Sequence, residues 1–193
     1  MELILATRNL HKVREVSRML EPYGLSVQPL PEQVELPPED GDSFEANALP
    51  KARAAAAALG VPVIADDSGI ESAALHGRPG VRSARFAGEH ATDAENLAKL
   101  LSEAPAGSEL RYVCALAFVD GELERVFFGD CRGRLAPSAR GDGGFGYDPA
   151  FLPDDRSDGL TMAELTEADK DAISHRGRAV RAFAEWFASE HEQ

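Results

Sequence analysis

Apolar and polar positions alternate along this chain with two periods. Leu3 to Ala6 is a short continuous apolar run with β character, the pattern of a buried strand. A polar stretch, Thr7 to Lys12, follows it. Val13, Val16 and Leu20 then recur at helical spacing, with Met19 beside them, until Gly24 stops the pattern. Pro29 to Asp42 is rich in proline and acid and reads as a loop. Ser43 is placed to cap a helix that runs to Leu59, with Gly60 just past its end. Pro50 predicts a kink in that helix or a start near Pro50, because proline removes a hydrogen bond and clashes one turn back. Val61 to Ala65 predicts a second buried strand, ending in Asp66-Asp67-Ser68-Gly69. Thr92-Asp-Ala-Glu95 is a capping box that opens a helix to about Glu103. Arg111–Val119 and Leu123–Phe128 flank Asp120-Gly121 as a hairpin. Ile173, Val180, Phe183 and Phe187 mark an amphipathic terminal helix, with Trp186 adjoining. Early strand–helix alternation followed by a hairpin predicts an α/β domain with a mixed sheet.

Composition narrows the class. The 193 residues are 44% hydrophobic and 27% charged, ordinary for a globular domain able to bury a core without staples. One domain over residues 1–193 is expected. Two cysteines, Cys114 and Cys131, cannot build a disulfide framework or a four-thiolate zinc site, which fits a cytoplasmic setting. Met1-Glu2-Leu3 lacks a secretory start, and no apolar run approaches the ~20 residues of a membrane span. The net charge of −13 argues against nucleic acid polymers as partners but leaves room for a small anion in a locally basic pocket.

Five segments offer chemistry. Adjacent carboxylates Asp66 and Asp67 at a strand end suit a hard divalent cation, or make an Asp-rich turn. Thr7-Arg8-Asn9-Leu10-His11-Lys12 joins a strand to a helix N-terminus, an anion site or a plain capped helix start. Gly144-Phe145-Gly146-Tyr147-Asp148-Pro149 presents rings and a carboxylate on a glycine-shaped loop, suited to a nucleobase or to a tight turn. Ser174-His175-Arg176 sits where the terminal helix begins. Arg78, Arg82 and Arg85 gather between Gly77 and Gly88, as a phosphate clamp or a subunit contact. No nucleophile–base motif and no histidine metal spacing is present.

Taken together, the chain resembles the inosine triphosphate pyrophosphatase family, the Ham1-like non-standard purine NTP pyrophosphatases. The resemblance rests on Ala6–Lys12, Phe44-Glu-Ala-Asn-Ala-Leu-Pro-Lys-Ala52, Ala65-Asp-Asp-Ser-Gly69, Gly80-Val-Arg-Ser-Ala-Arg-Phe-Ala-Gly88, Gly144–Pro149 and Ile173–Arg176, in family order over nearly the whole chain. It implies an elongated mixed β-sheet flanked by helices, with two lobes around a nucleotide cleft, and a homodimer. It also implies Mg²⁺-dependent hydrolysis of ITP, dITP and XTP to monophosphate and pyrophosphate. Carried over, Thr7, Arg8, Asn9, Leu10, His11 and Lys12 would hold the triphosphate. Asp67 would be general base and metal ligand, Glu39 a second metal ligand, and Ser68 a substrate contact. Phe145, Gly146, Tyr147 and Asp148 would hold the base, with Lys170, His175 and Arg176 completing its recognition.

Two positions depart from the family pattern: Ala46 stands where a glutamate is usual, and Pro50 interrupts the helix before Lys51. If the glutamate helped hold metal, Glu45 or Glu39 must serve. Hypoxanthine and xanthine present a 6-keto acceptor where adenine presents an amino donor. A buried donor aimed at that oxygen therefore discriminates, since an unsatisfied polar group costs roughly 1–3 kcal/mol. The rival readings are a Maf-like pyrophosphatase for other modified nucleotides and a nucleotide-binding module without turnover.

Overall fold

A computed structural model describes residues 1–191. The elements are β1 (Glu2–Leu5), α1 (Leu10–Leu20), β2 (Ser26–Pro29), α2 (Phe44–Leu59), β3 (Val63–Ser72), α3 (Asp93–Glu103), β4 (Glu109–Asp120), β5 (Leu123–Leu135), β6 (Phe151–Pro153), α4 (Glu167–Ile173) and α5 (His175–His191). The strands form one sheet in the order β2-β1-β3-β4-β5-β6. β1 pairs in parallel with β2 and β3, whereas β5 and β6 are antiparallel, so the sheet is mixed as expected. No helix among the described residues is long and apolar enough to cross a membrane.

The chain packs as two compact units. Among the described residues, unit 1 comprises residues 1–67, 114–129 and 176–191, and unit 2 comprises residues 68–113 and 130–175. Each has its own core. In unit 1, Leu3 and Leu5 of β1, Val16 and Leu20 of α1, and Ile64 of β3 pack with Leu116 and Phe118 of β4 and Val180, Phe183 and Phe187 of α5. Phe118, Phe127, Phe183, Trp186 and Phe187 form a ring cluster with centroids 5.4–6.3 Å apart, a geometry that favours edge-on and tilted contacts. In unit 2, Ile70, Leu97, Leu100, Leu110, Tyr112, Leu135, Phe151 and Met162 are buried together.

Local signals set most boundaries. Ser43 Oγ accepts from the Ala46 amide at the start of α2, and Gly60 closes it in the left-handed region. Both halves of the Thr92/Glu95 capping box are present at α3. The hairpin turns through Gly121-Glu122, and β5 continues to Leu135, well past the expected Phe128. The short strand β2 and the helix α4 carry too little periodicity to be read from sequence.

Two expectations are corrected. α2 neither starts near Pro50 nor breaks there; the helix runs through Pro50 from Phe44 to Leu59. The carbonyl deprived of its helical partner belongs to Ala46, an exposed residue of the first turn. Asp66 and Asp67 do not follow a strand end. β3 continues through them to Ser72 as ten residues that are nearly all buried.

Candidate active site

Successive residues of a strand face opposite sides of the sheet, so Asp66 and Asp67 meet different surroundings. Asp66 is fully buried. Its Oδ1 is ion-paired with Lys12 Nζ, its Oδ2 accepts from Arg176 Nε at 3.0 Å, and Cys114 Sγ lies 3.1 Å from Oδ2. Arg176 in turn gives Nη1 to Glu15 Oε2 at 2.7 Å. Burial pushes the Asp66 carboxyl up. The Arg176 and Lys12 charges, with hydrogen bonds from Lys12 and Cys114, outweigh it and hold the group well below the usual carboxylate range. Burial and the Asp66 charge drive the Cys114 thiol up, so it stays protonated and acts as a donor.

Asp67 is 6% exposed, and its Oδ2 accepts from Asn47 Nδ2 at 3.0 Å. Burial raises its carboxyl above the ordinary range, against the Lys51 and Lys12 charges, and Glu39 adds to the rise. Lys51, buried on α2, pairs with Glu39 and donates to the Asp66 carbonyl at 2.9 Å. Asn47 also ties down the acidic loop, since its Oδ1 accepts from the Gly41 amide at 2.8 Å. A Cβ at Gly41 would meet Asn47 Oδ1 and Ala46, so glycine is what lets this loop approach the helix. Asn47, Lys51, Glu15 and Cys114 carried no role in the sequence reading. Asn47 and Lys51 lie inside the Phe44–Ala52 segment already singled out, which was the available signal.

The first predicted anion loop is only partly what was expected. Asn9 Oδ1 accepts from the His11 and Lys12 amides, and Thr7 Oγ1 accepts from the Asn9 amide. These N–H groups are therefore capped by side chains at the helix start rather than left open to a ligand. Arg8 gives its guanidinium to the carbonyls of Leu30, Pro31, Glu32 and Val34 at 2.7–3.2 Å, anchoring the proline-rich loop. Leu10 is 61% exposed at the start of α1 and His11 is exposed beside it. Lys12 is the member of this segment brought into the carboxylate cluster.

Unit 2 holds the second group. Asp148 is buried. Its Oδ2 accepts from Lys170 Nζ at 2.6 Å and from the Phe145 amide at 3.0 Å, and its Oδ1 from Tyr112 Oη at 3.1 Å. Lys170 Nζ lies 5.2 Å from the Phe145 ring centroid, within cation–π range. His175, at the start of α5, stacks on Tyr112 with centroids 4.5 Å apart and rings 6° from parallel. Tyr147 Oη donates to the Ser83 carbonyl at 2.7 Å, and burial lifts its phenol above its usual range. A Cβ at Gly144 would strike Asp148 Oδ2 and crowd Lys170 Nζ, and its φ of +68° is itself a glycine conformation. Arg176, expected beside the base-recognition residues, belongs to unit 1 and is committed to Asp66 and Glu15. Ser68 is half-buried on β3. Of the three arginines between Gly77 and Gly88, Arg78 pairs with Glu103 at 3.5 Å and Arg82 is exposed.

Asp67 and Glu39 offer hard oxygen donors near two lysines, and Glu45 and Ala46 are exposed on the first turn of α2. Among the described residues, no three His, Cys, Asp or Glu side chains gather around a common point. A pair of carboxylates suits Mg²⁺, which keeps waters and substrate phosphate oxygens in its shell rather than an all-protein cage.

Comparison with known proteins places the whole chain. It is 48% identical to the dITP/XTP pyrophosphatase of Mycolicibacterium paratuberculosis, over 93% of this chain and 92% of that protein. The dITP/XTP pyrophosphatase of Mycobacterium tuberculosis matches at 48% over 93% of this chain and 91% of its own. The structure of a HAM1 protein from Coxiella burnetii superposes with a TM-score of 0.86 at 36% identity, covering 98% and 99% of the two chains. The model of the Ham1 family matches residues 3–186, and with these relatives the chain belongs to the Ham1 family.

Proposed function

We propose that this protein hydrolyses non-standard purine nucleoside triphosphates, ITP, dITP and XTP, to the monophosphate and pyrophosphate. The observation that carries the reading is the presence in one chain of two complementary groups. One is a carboxylate–lysine cluster suited to a polyphosphate. The other is a lysine held by a buried carboxylate beside an aromatic ring, suited to a keto purine.

Lys12 and Lys51 supply the positive charge that an acidic protein needs to accept a triphosphate. Asp67 and Glu39 would hold Mg²⁺, which when bound neutralises charge on the phosphates and acidifies a ligated water. Asn47 fixes the Asp67 carboxylate. Asp67 orients the attacking water and takes its proton. The water oxygen bonds to the α-phosphorus as the bond from that phosphorus to the bridging oxygen breaks, and pyrophosphate leaves. Asp67 suits this task better than Asp66, whose charge is already neutralised by Lys12 and Arg176.

In unit 2, Asp148 is saturated by Lys170, Tyr112 and the Phe145 amide. It serves as the anchor for the base loop rather than as the reader of the base. Lys170 is the donor to a 6-keto oxygen, and Phe145 is the stacking surface. Adenine would set its own amino donor against that ammonium, at a cost of roughly 1–3 kcal/mol. A homodimer working in the cytoplasm is part of the same proposal, and light scattering on the purified chain reads its mass.

The test is a Mg²⁺-dependent panel of ITP, dITP, XTP, ATP, GTP, CTP and UTP at subsaturating concentration, with monophosphate and pyrophosphate both measured. The first three turn over far faster than the rest. Equal rates for ATP and ITP overturn the specificity, and orthophosphate in place of pyrophosphate overturns the reaction.

A further inference from the structure

We propose that Asp93 is a positioning residue for base recognition, and that one face of α3 sets the geometry of the loop carrying Phe145; this rests on the base-pocket reading above. Asp93 Oδ2 accepts from the Gly146 amide at 2.9 Å. Gly146 sits at φ +63°, a backbone state that leaves its conformation to external ties rather than to its own side chain. The capping box of α3 is completed by Thr92 and Glu95, so the Asp93 carboxylate is not needed to start the helix.

Asp93 does not act alone on that face. Asn96, one turn on and buried, accepts from the Ala87 amide at 2.8 Å and donates to the Ala84 carbonyl at 3.0 Å. Lys99, a further turn on, donates to the Phe86 carbonyl at 2.8 Å and lies 4.6 Å from the Phe86 ring centroid. Positions three apart stack along one side of a helix. α3 therefore grips the Gly80–Gly88 segment with Asn96 and Lys99 and the base loop with Asp93. The two gripped segments are joined to each other, because Tyr147 Oη donates to the Ser83 carbonyl. Phe145 thus lies between an inner tie, its own amide on Asp148, and an outer tie one residue on, Gly146 on Asp93. Loss of the outer tie loosens the ring while leaving the carboxylate–lysine cluster of unit 1 untouched.

The expected signature is a split between binding and turnover. Asp93→Ala raises the KM for ITP about three- to tenfold, the range of one lost hydrogen bond, with kcat within about twofold of wild type. Asp93→Asn keeps a carbonyl acceptor for Gly146 and returns KM to within about twofold. Amide exchange over residues 143–148 speeds up in Asp93→Ala and recovers in Asp93→Asn. Glu95→Ala removes part of the capping box without touching Gly146; it lowers thermal stability and leaves KM unchanged. An unchanged KM in Asp93→Ala, an Asn variant no better than Ala, or an equal KM rise in Glu95→Ala overturns the proposal. Phe145→Ala separates this from the reading beneath it. If Phe145→Ala raises KM while Asp93→Ala does not, the positioning role alone falls. If neither does, the base pocket itself is misassigned.

Discussion

Asp66 and Asp67 are consecutive on β3, yet their environments push their proton affinities in opposite directions. Asp66 faces Lys12, Arg176 and the Cys114 thiol and is held ionised. Asp67 faces Asn47 with Lys51 near and Glu39 opposing, and burial raises its carboxyl. The alternation of a strand makes this division from one dipeptide: one carboxylate is neutralised inside a buried ion-pair network, and its neighbour is the one the proposed function assigns to proton transfer.

Asp67→Asn keeps size and the contact surface with Asn47 but loses the negative charge. Turnover of ITP falls on the order of 10²-fold or more, while the melting temperature stays close to wild type. A folded Asp67→Asn protein with near-native kcat would remove Asp67 from the chemistry.

Asp66→Asn acts on the fold instead. It leaves Arg176, 2% exposed, with one anionic partner where it had two, and deprives Lys12 of its carboxylate. Breaking a buried pair in this way costs about 3–5 kcal/mol, read by denaturant unfolding at neutral pH. The sign with pH follows from the lowered folded-state affinity. The stabilisation is present above the ordinary carboxylate range, about pH 4, and is lost as pH falls through the still lower folded value. The difference between wild type and Asp66→Asn should therefore shrink in strong acid; a constant difference down to acid unfolding contradicts the pairing.

Lys12→Ala should weaken ITP binding more than inosine binding, because inosine has no phosphates to meet the ammonium. Lys12→Arg should retain part of the affinity. Titrations into Asp67→Asn, with and without Lys12→Ala, provide the comparison. Equal losses for the two ligands would confine Lys12 to its ion pair with Asp66.

Gly144→Ala inserts a methyl against Asp148 Oδ2 and beside Lys170 Nζ at a positive φ. The KM for ITP should rise at least tenfold, beyond the strain cost of about 1 kcal/mol that positive φ alone imposes. Pyrophosphate, which lacks a base, should inhibit the variant and the wild type alike. Parallel losses for both would place Gly144 in the fold at large.

How much of this was legible in the sequence depends on the range of the forces involved. Local chemistry was readable: the Thr92/Glu95 capping box and Ser43 and Gly60 around α2 follow from hydrogen bonds within a few residues, and the Gly121 turn and the helix opening at His175 fall at changes in the chain's pattern. The resemblance motifs also singled out Lys12 and Asp67, which lie in unit 1, and Phe145, Asp148 and Lys170, which meet in unit 2. Long-range pairing was not readable. That β3 carries on through two aspartates depends on Lys12 and Arg176 reaching Asp66 from sites 54 and 110 residues away in the chain. Without those cations, burial would forbid the charge. Arg8 reads as a phosphate ligand until the loop carbonyls of Leu30 to Val34 are seen to claim it. Pro50 reads as a kink or a helix start until α2 is seen to run through it from Phe44 to Leu59. The sequence determined which residue types were available and where elements begin; tertiary structure alone decided which charges meet, because compensation for a buried charge comes from whichever distant segment the fold brings against it.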